Sequence, residues 1–366
     1  MNESSSDLPR SQRGVPMTEN ARREPVWRGR RPAAALAVLA GLSLLLAGCK
    51  VPNLGDGSPP GQGTGPAGGF PLSTVVLSPG GKTMAFVDVR SSSSYLTRVR
   101  VSDVATGRLI TTVTDRRGID GAALSPGGTI LATLNVGGST DLRDAATGRL
   151  IATLADPDHV GGERGQTVAF SPDGKMLAVA DVGGGIALWN VASRHLAGSF
   201  TYPGSGSGDI LGIAFSPDGN TLAIFDDNNH TYLTSVPGGR EIAALTDPYM
   251  SGGPAAVAFS PDGKSLATGQ SDGTTYLWDI ATGTRTAVLT DHRGDIEAVA
   301  YSPDGRTLAT GDGNGHLYLW NTATWHLIDA WTIPRGPAIE TLAFSADGTT
   351  ITAGYGNGHA RQWNLG

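Results

Sequence analysis

From about residue 70 to the C-terminus, apolar and polar residues alternate in short runs, each run bounded by a turn. Residues 260–283, SPDGKSLATGQSDGTTYLWDIATG, show the unit: Pro-Asp-Gly, the run SLATG, Asp-Gly, the run TTYLWD, then Ala-Thr-Gly. Runs of four to six residues with a period of two predict half-buried strands rather than helices. The Ser that opens the unit recurs at Ser78, Ser125, Ser171, Ser216, Ser260, Ser302 and Ser345, at intervals of 47, 46, 45, 44, 42 and 43 residues. The residue before each Ser is large, namely Leu77, Leu124, Phe170, Phe215, Phe259, Tyr301 and Phe344, and the strand it closes places small Ala on the opposite face in most copies.

The turns set the connectivity. In SPDGK, Pro261 presets φ, Asp262 tolerates the next corner and Gly263 takes the left-handed position that closes a hairpin. Asp272-Gly273, Asn314-Gly315 and Asn357-Gly358 are two-residue hairpin signals leading into a third strand, and the ATG turn leads into a fourth such as residues 286–290. Four antiparallel strands in about 44 residues cannot bury both faces alone, so neighbouring units must stack around an axis. The expected fold is all-β: a seven-bladed β-propeller of four-stranded antiparallel blades over residues 70–366. The chain stops on the third strand of the seventh unit, RQWNLG. Either KVPNL (Lys50 to Leu54) supplies the missing fourth strand, or the last blade has three.

These motifs resemble the WD-repeat family, in which Trp-Asp ends the third strand. Trp278-Asp279 matches outright, and Trp189-Asn190, Trp320-Asn321 and Trp363-Asn364 nearly so; Ser102-Asp103, Arg143-Asp144 and Thr234-Ser235 depart from it. The family's Gly-His before the first strand is mostly missing, with His292 its nearest echo, so the Asp–His–Ser/Thr–Trp hydrogen-bond network that the resemblance implies is expected in few blades. The resemblance also implies that one face of the ring takes protein partners.

The first seventy residues follow another rule. Residues 1–32 read as a basic, disordered n-region on the cytoplasmic side, and the true start is Met1 or Met17. Residues 33–48, AAALAVLAGLSLLLAG, are apolar but span only about 24 Å as a helix, short of a roughly 30 Å hydrocarbon core. Basic stretch, short apolar run and small residues read as an export signal. The run closes on LAGC, which resembles the lipobox of bacterial lipoproteins and implies lipidation of Cys49, the sole cysteine; the alternative is an uncleaved single-pass anchor. Either places the ring at the cell membrane on the extracytoplasmic side, behind the Gly/Pro-rich linker 49–69. Beyond Cys49 the chain carries 20 basic and 29 acidic residues, a net charge of −9. That balance disfavours nucleic acid and suits a cationic partner.

Catalytic signatures are missing: there is no G-x-S-x-G elbow, P-loop or H-E-x-x-H, and GSGSG at 204–208 precedes a strand rather than a helix. His230, His316 and His359 open equivalent third strands on different blades, too far apart to share an ion, so no metal and no cofactor is expected. DDNNH (Asp226 to His230) reads as a polar hairpin turn, and RGD (Arg293 to Asp295) as a coincidence of composition. Trp325 replaces the Gly of the ATG turn (Gly107, Gly148 and Gly283 elsewhere) and is a candidate interface anchor or a packing residue.

Four positions before the Leu/Phe/Tyr register, at the start of the innermost strand, the seven units read Ser73, Asp120, Gln166, Leu211, Ala255, Glu297 and Glu340. Asp120, Gln166, Glu297 and Glu340 therefore form the candidate partner site, with Asp156, Asp158, Glu163, Tyr249 and Asp291 in loops on the same face. The function expected is a membrane-tethered scaffold that binds a protein or peptide of cationic character. An exported propeller hydrolase or lactonase with an acidic or metal site at the channel mouth is the alternative, and the missing motifs favour a non-enzyme.

Overall fold

A computed structural model describes residues 73–89, 97–136, 138–155, 165–181, 183–204, 210–246, 254–290, 292–332 and 336–365. The chain divides into two units, Met1–Pro32 and Ala33–Gly366, and every described residue belongs to the second. The export segment, Cys49, the linker and the KVPNL stretch lie outside the described residues, as do Asp156, Asp158, Glu163, Tyr249 and Asp291.

All described regular structure is β, in seven antiparallel sheets whose strands follow chain order. Blade 1 holds β1 (Ser73–Leu77), β2 (Thr83–Val89), β3 (Thr97–Asp103) and β4 (Leu109–Asp115); blade 2 holds β5 (Ile119–Leu124), β6 (Ile130–Asn135), β7 (Thr140–Asp144) and β8 (Leu150–Leu154). Blade 3 comprises β9 (Gly165–Phe170), β10 (Met176–Asp181), β11 (Gly185–Asn190) and β12 (Leu196–Thr201), and blade 4 comprises β13 (Ile210–Phe215), β14 (Thr221–Asp226), β15 (His230–Ser235) and β16 (Glu241–Thr246). Blade 5 follows with β17 (Pro254–Phe259), β18 (Ser265–Gln270), β19 (Thr275–Asp279) and β20 (Thr284–Leu289). Blade 6 has β21 (Ile296–Tyr301), β22 (Thr307–Asp312), β23 (His316–Asn321) and β24 (Leu327–Thr332), and blade 7 has only β25 (Ile339–Phe344), β26 (Thr350–Tyr355) and β27 (Ala360–Asn364).

First strands pack on first strands in an unbroken circle, β1 on β5, β5 on β9, and so on to β25, which returns to β1. The ring therefore closes through its inner strands, a seven-bladed propeller whose last blade has three strands among the described residues. The register residues fill the gaps between blades. Phe259 joins Leu233, Leu245 and Phe225 of blade 4 with Tyr276 and Trp278 of blade 5 in one cluster. Fourth strands contribute one buried anchor each in four blades: Val113, Leu154, Leu245 and Leu289 are 2–3 % exposed, and each touches the next blade.

Turn chemistry repeats as faithfully as the strands. In the SPDG turn Ser260 Oγ donates to Asp262 (2.7 Å) and accepts Ser265 N–H (2.9 Å), while Gly263 takes φ 70°. That hydroxyl, with backbone donors, holds the Asp262 carboxyl below its ordinary range. The residue after the third-strand Trp caps the next turn: Asp279 accepts both N–H and hydroxyl of Thr282 at 2.8 Å. Asn321 does the same for Thr324 in blade 6.

Candidate functional site

In the antiparallel pairing of β21 with β22, Ile296 faces Asp312 and Ala298 faces Gly311, so Glu297 is the extra residue of a β-bulge. The same irregularity falls on Glu340, Asp120, Leu211, Ala255 and Gln166. Six blades thus carry a bulge at the position singled out by the register, and only β1, with Ser73 paired to Asp88, does not. A bulge leaves its residue outside the ladder and re-aims the side chain, which suits a position meant to face something other than the neighbouring strand.

Ring order makes these seven positions asymmetric. Glu297, Glu340, Ser73, Asp120 and Gln166 fall on five consecutive blades, 6, 7, 1, 2 and 3, while Leu211 and Ala255 occupy the remaining two. The backbone of Gln166 is placed in β9; Asp120 is half-buried and engaged with neighbours. Glu297 and Glu340 lie at the same position of adjacent first strands, β21 and β25, which pack on each other.

Both glutamates are half-buried. Burial is the main reason that the Glu297 carboxyl is pushed up to about 7, with the charge of Asp295 adding to it. Glu340 is likewise pushed up to about 7 by burial and then by the charge of Glu297, partly offset by the Val75 N–H that donates to it. Glu340 therefore reaches from blade 7 to the first strand of blade 1, and feels blade 6 on its other side. Its carboxylate lies against Gly356, and that of Glu297 near Gly313, so backbone without side chains makes room for both. Neither carboxylate forms an ion pair with a cation among the described residues. A carboxyl that is partly stripped of water, unpaired and close to its titration point gains most from an incoming guanidinium or ammonium.

The other candidates sort differently. His230 and His316 open β15 and β23 beside the buried carboxylates of Asp226 and Asp312, with His316 Nδ1 2.9 Å from Asp312 Oδ2. Asp312 Oδ1 also accepts the N–H groups of Asn314 (3.0 Å) and His316 (2.8 Å), so this imidazole belongs to a hairpin lock. His359, with Tyr355 where those blades have Asp, is exposed. Among the described residues no three of His, Cys, Asp and Glu gather to hold a metal. Trp325 sits at φ 58°, in the left-handed turn that Gly107, Gly148 and Gly283 fill elsewhere, and packs on the cluster of Leu289, Leu308, Tyr318 and Trp320. Its indole lies over the junction of blades 5 and 6, a packing position.

Two networks occupy homologous places in blades 6 and 2. In blade 6, His292 Nε2 lies 2.7 Å from Thr310 Oγ1, which also accepts Trp320 Nε1–H at 3.0 Å. In blade 2 the Trp position is Arg143 and the preceding inward Tyr position is Asp141, and charges replace the aromatic network. Asp141, fully buried, accepts Arg117 (2.6 Å), Arg143 (2.7 Å) and Thr153 (2.7 Å). Asp115 accepts Arg117 as well (2.8 Å), and that hydrogen bond holds its carboxyl low. The sequence signal for this cluster was the Arg-Asp in place of Trp-Asp, but its two distant partners, Asp115 and Arg117, carried none.

Compared with known families, the chain matches the WD domain, G-beta repeat model over residues 249–279, 283–321 and 331–364. The matched residues lie in the last three blades. No curated protein matches the chain.

Proposed function

We propose that this protein is a non-enzymatic interaction scaffold, tethered by its N-terminal segment outside the cytoplasm, whose propeller captures a cationic protein or peptide segment at the channel mouth. The observation that carries the reading is the Glu297–Glu340 pair: two bulge-presented carboxylates on adjacent blades, without a cationic partner among the described residues. WD40 propellers bind proteins or peptides in general, which supports the class; the net charge of −9 beyond Cys49 supports the sign of the partner. An arginine or lysine seated there would restore both carboxylates to the ionised state, so capture should release protons near neutral pH.

The test is crosslinked capture from the native envelope with the full chain, comparing wild type with Glu297→Gln/Glu340→Gln. Loss of the captured species at pH 8, with the fold intact by circular dichroism, supports the reading. Equal capture by the two proteins removes the channel mouth from it.

A further inference from the structure

Charge is distributed unevenly around the ring. Residues 73–155, which form blades 1 and 2, carry nine basic and six acidic residues, whereas residues 156–366 carry ten basic and 22 acidic. The net charge of −9 beyond Cys49 therefore hides two basic blades in an otherwise acidic protein. On β3 the buried Val99 and Val101 pack toward blade 2, and the alternate residues Arg98 and Arg100 are exposed on the opposite face. Arg100 lies over the Phe86 ring, 4.9 Å from its centroid.

The outer strands add an apolar component. Leu109, at the start of β4, is 50 % exposed, and Arg108 beside it is exposed as well. Blade 2 repeats the pair as Arg149 and Leu150, the leucine 46 % exposed. The two pairs belong to one surface, because a Cβ on Gly148 of blade 2 would meet Thr111 Oγ1 of β4 at 3.2 Å. Asp103 and Asp144, the carboxylates of these two turns, are committed as caps that accept Thr106 N–H (2.9 Å) and Thr147 N–H (2.8 Å). Asp88 stands opposite Arg98 in the ladder. Among the described residues none of Arg98, Arg100, Arg108 and Arg149 forms an ion pair.

Exposed leucines beside unpaired arginines suit contact with anionic lipid, where the leucine enters the interface and the guanidinium stays among the headgroups. We propose that Arg98, Arg100, Arg108, Leu109, Arg149 and Leu150 dock blades 1 and 2 onto an anionic lipid surface. The inference rests on the membrane tether of the proposed reading and not on the channel mouth. Chain order supports it: β1 opens blade 1 at Ser73, 24 residues separate Ser73 from the apolar run 33–48, and a coil of that length reaches about 27 Å. The blade nearest that run in sequence is thus one of the two basic ones. Two other exposed apolar positions have acidic company, Ile242 following Glu241 and Ile328 preceding Asp329. A second copy could offer Leu327, Ile328 and Asp329 to the arginines, but that contact joins unlike surfaces head to tail and builds rings or filaments rather than a closed pair. Docking through the rim stands the ring on its edge and leaves the face with Glu297 and Glu340 open to a partner.

The test uses the full chain, with residues 33–48 retained and Cys49→Ser removing the native thiol, in phosphatidylcholine vesicles with and without phosphatidylglycerol. A fluorophore is attached through Thr112→Cys on blade 1 or Ile242→Cys on blade 4, both exposed positions, and a nitroxide on the lipid headgroup quenches it on approach. On anionic vesicles the label at position 112 should be quenched and the label at position 242 should not, and high salt should reverse the quenching. Arg98→Gln and Arg100→Gln should each weaken docking about fivefold, as about 1 kcal/mol per basic residue near an anionic surface implies. Vesicle flotation reads the tether separately. A chain that does not float overturns the tether and the docking with it, whereas a chain that floats with equal quenching at the two positions overturns the docking alone. Quenching at position 112 that ignores salt and both substitutions overturns it too, by making the short linker its cause. Salt-sensitive assembly in detergent that Asp329→Lys abolishes assigns the surface to a second copy and overturns the lipid contact.

Discussion

Replacing Glu297 and Glu340 by Gln should change the pH dependence of stability in a defined direction. A carboxyl whose folded value lies above its unfolded value binds its proton more tightly in the native state. Its destabilising charge is absent below the unfolded value of about 4.5 and fully felt above the folded value of about 7. Wild-type stability should therefore fall as pH rises from 5 to 8. The gap from 4.5 to about 7 corresponds to at most about 3.4 kcal/mol per carboxylate at 1.36 kcal/mol per pH unit. Partial exposure of both side chains screens this to about 2 kcal/mol each, and their mutual repulsion must not be counted twice, so about 3 kcal/mol is expected for the pair. Asp226, also pushed up by burial, adds a slope of the same sign that both proteins share. Urea unfolding at pH 5, 6, 7 and 8 isolates the pair as the difference between wild type and the double Gln variant. A difference that stays constant across that range would show that the two carboxyls are well solvated, and the electrostatic basis for cation capture would go with it.

Two further substitutions test the frame around the mouth. Leu289→Ala opens a void between blades 5 and 6 against Leu308, Tyr318 and Trp320, and should cost about 2–4 kcal/mol in denaturant unfolding. Val288→Ala on the exposed face of the same strand should cost no more than about 0.5 kcal/mol, and equal effects would contradict the anchor role of the fourth strand. Asp141→Ala removes the acceptor shared by Arg143, Arg117 and Thr153 and leaves Asp115 as the one carboxylate of the cluster, an expected loss of about 2–3 kcal/mol. A change below 1 kcal/mol at pH 7 would place the cluster in solvent rather than in the blade.

Blade number and strand order were legible in the chain because each depends on local chemistry repeated at a near-constant interval. Ser-Pro-Asp-Gly closes the first hairpin whatever lies around it, since Ser260 Oγ, Asp262 and the left-handed Gly263 are all within four residues. The seven positions at a fixed offset from Phe259 and its equivalents could be counted off for the same reason, but the bulge found at six of them could not. A bulge is a property of two strands, and neither Glu297 nor Gly311 alone announces it. What the sequence hid was contact between separated elements. Arg117 meets Asp141, and Asp115 meets Arg143, across a blade boundary, and Trp325 turns inward although its neighbours in sequence are exposed. Blade 6 holds the His292–Thr310–Trp320 chain and blade 5 its Trp278–Thr268 part, while blade 2 fills the equivalent space with four charges. Such a substitution is tolerated because a blade needs only a space-filling connection from its third strand to the preceding loop: in blade 2 Asp141 and Arg143 of β7 reach Arg117 and Asp115, and Thr133 of β6, the counterpart of Thr310, takes no part. Charge pairs and an aromatic relay both meet that demand, so the ring persists where the motif does not, and function has to be sought in what the bulges present rather than in the repeat itself.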